Sequence, residues 1–223
     1  MFKTGIKRRF VRNGIIEAFC ALRKRDGVMK NKVEDRRIRK TRKLLHDALV
    51  SLILEKDYDS IIVQEIIDRA NVGRSTFYQH FEDKDGLLAS GIAELGENLQ
   101  KVLAAKPVTG QKPAERLLGF SLFMFEHARD HRSIYLALGV RKRAFIRQAL
   151  QDILEQVIKV HAKPVLGKAE KLAVPFDLFV YFLASSFLSV MLWWVEQKNP
   201  LQPKEIDKMF RAMVMPSVVA NLK

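Results

Sequence analysis

Apolar residues recur at steps of three and four along most of the chain, which is the period of an amphipathic α-helix. This pattern begins at Ile38 and continues to the end of the sequence, with Pro and Gly separating the periodic stretches. Stretches that alternate apolar and polar residues, as half-buried strands do, are almost absent. The sequence therefore predicts an all-α protein.

The first periodic stretches predict three helices in close succession. The first helix ends near Glu55 to Asp59, and one face carries Ile38, Thr41, Leu45, Ala48, Leu49 and Leu52. A second, shorter helix carries Val63, Ile66, Ile67 and Ala70. A break follows at Asn71-Val72-Gly73, because Asn tolerates a left-handed backbone and Gly is an acceptable N-cap. A third helix from Arg74 to Phe81 then completes a predicted helix-turn-helix.

The remaining pattern predicts a long fourth helix up to Pro107 and a C-terminal helical bundle. The bundle helices are expected at about 114–129, 132–138, 142–161, 171–197 and 203–222. We expect two domains, a three-helix helix-turn-helix domain at 36–99 and a bundle at 100–223. A basic extension, residues 1–35, precedes them.

The run from Leu178 to Val195 contains no charged residue, and its eighteen residues are the lower limit for a membrane span. Three serines dilute the run and no basic cluster lies close to either end, which argues against a span. The amphipathic helix expected at 203–222 supplies a neighbour for it. We therefore interpret the run as a helix buried inside a bundle or between subunits.

The charge is concentrated at the N-terminus. Of the net +14, residues 1–43 carry +12, from sixteen Lys or Arg residues against four acidic ones. This asymmetry indicates a contact with a polyanion, nucleic acid first and an anionic membrane surface second, although a solvated basic tail has the same composition. The single cysteine, Cys20, excludes an intramolecular disulfide and a thiolate cluster for zinc, so a cytoplasmic location is expected.

One motif identifies a family by resemblance. The sequence Ser75-Thr76-Phe77-Tyr78-Gln79-His80-Phe81, followed by Lys84 and Leu87-Leu88, strongly resembles the DNA-binding domain of the tetracycline-repressor (TetR) family. The resemblance covers about Arg37 to Leu99. The chain departs from the family pattern at Ile62, where a capping Thr is frequent, at Asn71, where Gly is frequent, and at Gly73, where Ser is frequent.

The resemblance implies DNA contacts for the helix-turn-helix. The residues implicated at bases or adjacent phosphates are Arg74, Ser75, Thr76 and Gln79, and those at the DNA backbone are Gln64, Tyr78, His80 and Lys84. Arg reads guanine and Gln reads adenine in the usual major-groove pairings. Phe77 and Phe81 are expected in the core, and helical spacing predicts that Tyr78 and His80 do not both share their face.

The resemblance also implies a regulator with a ligand cavity in its C-terminal half. The last two helices are expected to pair with those of a second subunit, giving a homodimer that represses transcription until a hydrophobic or aromatic effector binds. The alternatives are a nonspecific basic DNA-binding protein and, third, a membrane-associated helical protein. The sequence does not identify the ligand-binding residues.

Other chemistry receives little support. His127 and His131 stand four residues apart, a spacing that places two metal ligands on one helical face, but no third firm ligand accompanies them. No glycine-rich phosphate loop, nucleophile elbow or HExxH motif occurs. We therefore expect no enzyme activity, no metal and no cofactor. Met29 is a natural start before the first domain helix, so residues 1–28 are either a start-site artefact or a DNA-binding arm.

Overall fold

The structure, a computed structural model, describes residues 36–105, 112–138, 140–166 and 172–222. These residues form ten α-helices and no β-strand, which confirms the all-α prediction. In chain order the helices are α1 Arg36–Glu55, α2 Val63–Ala70, α3 Arg74–His80, α4 Lys84–Ala105, α5 Pro113–Leu117, α6 Ser121–Asp130, α7 Arg132–Ala137, α8 Val140–Leu166, α9 Phe176–Glu196 and α10 Pro203–Asn221. A single 3-10 turn, Tyr58–Ser60, lies between α1 and α2. The N-terminal extension, including the choice of start at Met29, lies outside the described residues.

The chain divides into two compact units, which meet in sequence at Ala93 and Glu94, inside α4. In the N-terminal unit, α1 packs on α2 and α2 packs on α3. The fully buried side chains at this core include Leu45, Tyr58, Ile66, Phe77 and Leu87. Ile38, which the pattern placed on the apolar face of α1, is exposed instead, as is every residue from Arg36 to Lys40.

The C-terminal unit is packed around aromatic rings. The ring of Phe187, on α9, lies 5.2 Å from that of Phe120, 4.8 Å from that of Phe125 and 5.3 Å from that of Phe210. Trp194 adds an edge contact with Phe125 at 5.5 Å. Rings at these spacings contribute beyond their buried area. The aromatic residues therefore fill the middle of the unit.

Two helices replace the single one predicted at 114–129. The break lies between α5 and α6, where the carbonyl of Leu118 accepts from the Ser121 hydroxyl at 2.8 Å and from Nη2 of Arg211 at 2.6 Å. Asp207 accepts a hydrogen bond from Arg211 and shares the single hydroxyl proton of Ser121 with the Leu118 carbonyl. This cluster from α10 stabilises a tight turn at the break, and a Cβ on Gly119 would lie only 3.0 Å from the carbonyl oxygen of Arg116.

One face of α9 and one face of α10 leave apolar side chains exposed in the protomer. The exposed residues are Leu178, Tyr181, Phe182 and Trp193 on α9, and Met209, Met213 and Val219 on α10. Helix α9 begins five residues later than predicted, after Pro175. It is long and apolar enough to cross a membrane by length and composition, but half of its apolar stretch is buried. Its buried half agrees with the bundle interpretation.

Candidate nucleic-acid interface

The turn between α2 and α3 is set by Asn71. Its backbone lies in the left-handed region, at φ 51° and ψ 50°. The amide N–H of Asn71 donates to the carbonyl of Asp68, and that of Val72 donates to the carbonyl of Ile67, each at 3.2 Å. These two bonds satisfy carbonyls that the end of α2 leaves open, which is the usual pairing at a left-handed helix end. Asn71 therefore occupies the left-handed position that Gly occupies more often at the end of a helix.

Helix α3 presents polar side chains on the surface above a phenylalanine core. Gly73 is its extended N-cap, at φ −71° and ψ 148°, as the sequence predicted. Phe77 is fully buried and Phe81 is buried, which confirms their expected core positions. The residues exposed on this helix are Arg74, Ser75, Tyr78 and Gln79, while Thr76 and His80 are half-buried. The structure thus brings together six of the eight predicted site residues on one short helix.

Tyr78 is 48% exposed, in agreement with the prediction that Tyr78 and His80 do not both share the Phe77 face. Its ring meets the ring of Phe77 edge to face, at 5.3 Å and 82°. The Cζ atom of Arg74, one turn earlier, lies 5.8 Å from the centre of the Tyr78 ring. An arginine at this distance from an aromatic face is attracted by the ring quadrupole. The three side chains therefore form a continuous contact from the core to the surface.

The start of α2 lacks the capping hydroxyl that is frequent in the family, and Glu65 compensates for it. The carboxylate of Glu65 accepts from the Ile62 amide N–H at 3.0 Å and pairs with Lys56. These contacts, the Ile62 N–H first and Lys56 second, hold the pKa of Glu65 below its ordinary value. Gln64 is exposed beside them, and its amide donates to Asp68 at 2.8 Å.

Lys84 is placed differently from the expectation. Its ammonium group donates to the carbonyls of Ile61 at 2.6 Å, Tyr58 at 2.9 Å and Asp59 at 3.1 Å. Its Nζ atom also lies 4.8 Å from the centre of the Tyr58 ring. Because a lysine has three N–H donors, these bonds occupy all of them. The geometry favours a structural role, in which Lys84 fixes the turn before α2 to the start of α4, over the phosphate contact implied by resemblance.

The first turns of α1 add a basic surface that the predicted site did not include. Arg39, Lys40 and Lys43 are exposed, and no acidic residue occurs in α1 before Asp47. The Cζ atom of Arg42 lies 5.9 Å from the centre of the Phe81 ring, so this part of α1 lies beside the end of α3. The signal available in the sequence was the run of cations from Arg36 to Lys43.

Within the described part of the chain, His127 and His131 are not joined by a third metal ligand. The rings of His127 and His131 lie 4.3 Å apart, but no group of three or more metal-ligating side chains occurs among the described residues. Burial, and then the nearby His131, lower the pKa of His127 to about 4, and Asp130 opposes the shift. His127 is thus partly buried near the end of α6, and His131 is exposed at the C-cap.

Comparison with known proteins decides the family. Residues 45–90 match the model of bacterial regulatory proteins of the tetR family, and residues 115–216 match a transcriptional regulator C-terminal region. The solved structure of a TetR transcriptional regulator from Streptococcus agalactiae is 31% identical, with a TM-score of 0.51 over 82% of this chain and 97% of that one. The chain belongs to the TetR family of regulatory proteins.

Other regulators match over a smaller share of their own length or at lower identity. YxbF, an HTH-type transcriptional regulator of Bacillus subtilis, is 35% identical over 73% of this chain and 41% of its own length. The chain spans between 41% and 60% of the length of the curated relatives that it matches. The TetR-family repressor FadR of Thermus thermophilus, solved with lauroyl-CoA, shares the fold at 18% identity, with a TM-score of 0.52 over 78% of this chain and 93% of that one.

Proposed function

We propose that the protein is a homodimeric, sequence-specific DNA-binding regulator of transcription. It contacts DNA through its helix-turn-helix at 62–81. The observation that carries this proposal is the surface of α3, where Arg74, Ser75, Tyr78 and Gln79 are exposed over the buried ring of Phe77. A second helix with polar side chains at its N-terminal end is the element that helix-turn-helix proteins place in the major groove.

The contacts divide into base-reading and phosphate-binding groups. Arg74 is assigned to a guanine and Gln79 to an adenine, because these side chains pair bidentately with the respective base edges. Ser75 and Thr76 bind bases or adjacent phosphates, and Tyr78, His80 and Gln64 bind the backbone. Lys84 is left out of this interface, because its donors are used within the protein.

The basic surface of α1 extends the proposed interface. Arg39, Lys40 and Lys43 contact phosphates beside the end of α3, where Arg42 lies against Phe81. Phosphate contacts position a protein on the duplex without reading its sequence, and each releases counterions. This surface therefore contributes affinity and salt dependence, while α3 contributes specificity.

Two copies pair through the exposed apolar faces of α9 and α10. Exposed aromatic and methionine side chains on neighbouring helices are typical of a subunit interface, and a second copy of the same faces buries them. A two-fold dimer then reads a symmetric operator. The test is sedimentation velocity: Met213→Asp should convert dimers to monomers, whereas the control Lys204→Asp, which is outside the apolar face, should not. Wild-type monomers at micromolar concentration would contradict the pairing.

A small apolar effector acting on the C-terminal unit, with repression as the direction of control, completes the proposal. A depression lined by residues such as Tyr135, Ile146, Leu192 and Val195 has a volume of about 20 Å³, which is the space of a single water. An effector in this region must therefore displace side chains to bind. The relatives are named as regulators, so we assign no enzyme activity. A regulator of this kind acts in the cytoplasm, where the DNA is.

The test of the whole proposal is fluorescence anisotropy over a salt series. The full-length protein is titrated onto duplex DNA from its own upstream region and, in parallel, onto a scrambled duplex of equal length. A preference of roughly a thousandfold that survives physiological salt supports operator binding. Equal and steeply salt-dependent affinity for both duplexes, and for duplexes selected from a randomised library, supports the nonspecific basic DNA-binding alternative. Loss of the protein from the soluble fraction supports the membrane alternative.

A further inference from the structure

Arg74 and Tyr78 stand four residues apart on the exposed face of α3, where side chains at this spacing are neighbours. The Cζ atom of Arg74 lies 5.8 Å from the centre of the Tyr78 ring. Among the described residues, no carboxylate forms an ion pair with Arg74. The guanidinium group is therefore held by an aromatic face and keeps its N–H donors for another partner.

The Tyr78 ring is itself anchored. It meets the ring of Phe77 edge to face at 5.3 Å, and Phe77 is fully buried. Phe77 also contacts the ring of Phe81, at 5.9 Å, so the anchoring ring is fixed by the core of the domain. The position of Arg74 at the surface is thus linked through two rings to the packing beneath α3.

We propose that Tyr78 is a positioning residue for Arg74, holding the guanidinium group in place for bidentate recognition of a guanine in the major groove. This inference rests on the proposed function and adds a role to Tyr78 that does not involve its hydroxyl group. A long side chain loses rotamer freedom when it binds, so an arginine that the ring has already restricted loses less. The benefit depends on the ring and appears at the one base pair that Arg74 reads.

The test uses the full-length protein and a randomised duplex library. After selection and sequencing, affinities are measured on the enriched duplex and on duplexes with single substitutions at each enriched guanine. Arg74→Lys identifies the position that Arg74 reads, because lysine lacks the planar fork. Tyr78→Leu removes the ring, and Tyr78→Phe is the matched control that keeps the ring and removes the hydroxyl group.

The expected result is specific to one base pair. Tyr78→Leu should reduce discrimination for guanine at the Arg74-dependent position by about two- to fivefold per half-site, the range for an exposed cation–π contact. Tyr78→Phe should retain that discrimination, even where loss of a hydroxyl–phosphate bond weakens binding to every duplex equally. A selective NMR label on arginine adds a readout without DNA: the ring-current shift of the Arg74 δ protons should persist in Tyr78→Phe and vanish in Tyr78→Leu.

Three outcomes would overturn the inference. Full guanine discrimination in Tyr78→Leu would show that Arg74 needs no ring. Equal losses in Tyr78→Phe and Tyr78→Leu, uniform across all duplexes, would reduce Tyr78 to a phosphate contact. A wild-type protein that enriches a sequence with no Arg74-dependent guanine would refute the inference alone, whereas one that enriches no sequence would refute the proposed function along with it.

Discussion

The role of Lys84 gives the sharpest test of the structure. Its ammonium group makes three hydrogen bonds to the carbonyls of Tyr58, Asp59 and Ile61, at 2.9, 3.1 and 2.6 Å. Replacing Lys84 with Met keeps an unbranched side chain that is one atom shorter and removes all three bonds. A hydrogen bond from a charged donor makes a net contribution of about 1.5–3 kcal/mol, and three bonds that share one partly exposed ammonium group contribute less than three times this amount. We therefore expect Lys84→Met to lower the free energy of unfolding by about 2–4 kcal/mol.

The loss of stability in Lys84→Met should be local to the N-terminal unit. Hydrogen exchange of the full-length protein, followed by mass spectrometry, should show faster exchange in peptides that cover 58–70, and unchanged exchange in peptides from α9. Lys40→Met, in the exposed basic surface of α1, is the matched control and should leave the exchange of both regions unchanged. The reasoning is refuted if Lys84→Met exchanges like the wild type while its DNA affinity and the salt dependence of that affinity both fall, because Lys84 would then be a phosphate contact.

Three further predictions follow from the same structure. Replacing Arg39, Lys40 and Lys43 with Gln should lower the slope of log affinity against log salt by about 0.9 for each lost phosphate contact while base preferences stay the same; an unchanged slope would remove α1 from the interface. Asn71→Val should lower the free energy of unfolding in urea by about 1–2 kcal/mol, because a branched side chain is strained at φ 51°, whereas Asn71→Gly should not. The folded-state pKa of His127, about 4, lies below its ordinary 6.5. The neutral ring's contribution to the free energy of unfolding is therefore fully present above pH 6.5 and is lost as the pH falls through about 4. Over this window the free energy of unfolding should therefore fall further in the wild type than in His127→Gln, by a difference of at most about 3 kcal/mol, and equal falls would contradict the burial argument.

The helix-turn-helix was predictable because its signals are local. The apolar spacing of α2 and the Asn71-Val72-Gly73 break predicted its helix ends within one residue of those observed. Helical spacing also predicted that Tyr78 and His80 do not both share the face of Phe77 and Phe81, and Tyr78 is the exposed residue of the two. These features depend on residues within one or two turns of each other, so a period and a turn residue are enough to predict them.

The features that sequence reasoning missed depend on distant residues. The break between α5 and α6 is stabilised by Asp207 and Arg211, which are 86 and 90 residues from Ser121. The bonds of Lys84 join carbonyls between 23 and 26 residues away. In both cases the apolar pattern is unchanged by the contact, so periodicity carries no sign of it. The resemblance implied that Lys84 contacts the DNA backbone, whereas its ammonium group donates to three carbonyls within the protein.

The adjacent tryptophans on α9 face opposite environments. Trp194 is buried, with its indole N–H donating to the Leu201 carbonyl at 2.9 Å, whereas Trp193 is 56% exposed on the face assigned to the subunit interface. No other Trp occurs in the chain. Intrinsic fluorescence therefore contains two signals that acrylamide quenching separates. Trp193 should be quenched in a free protomer and shielded on association. Trp194 should be quenched only when the aromatic core opens. The protein thus carries unlabelled reporters of assembly and of core opening at neighbouring positions.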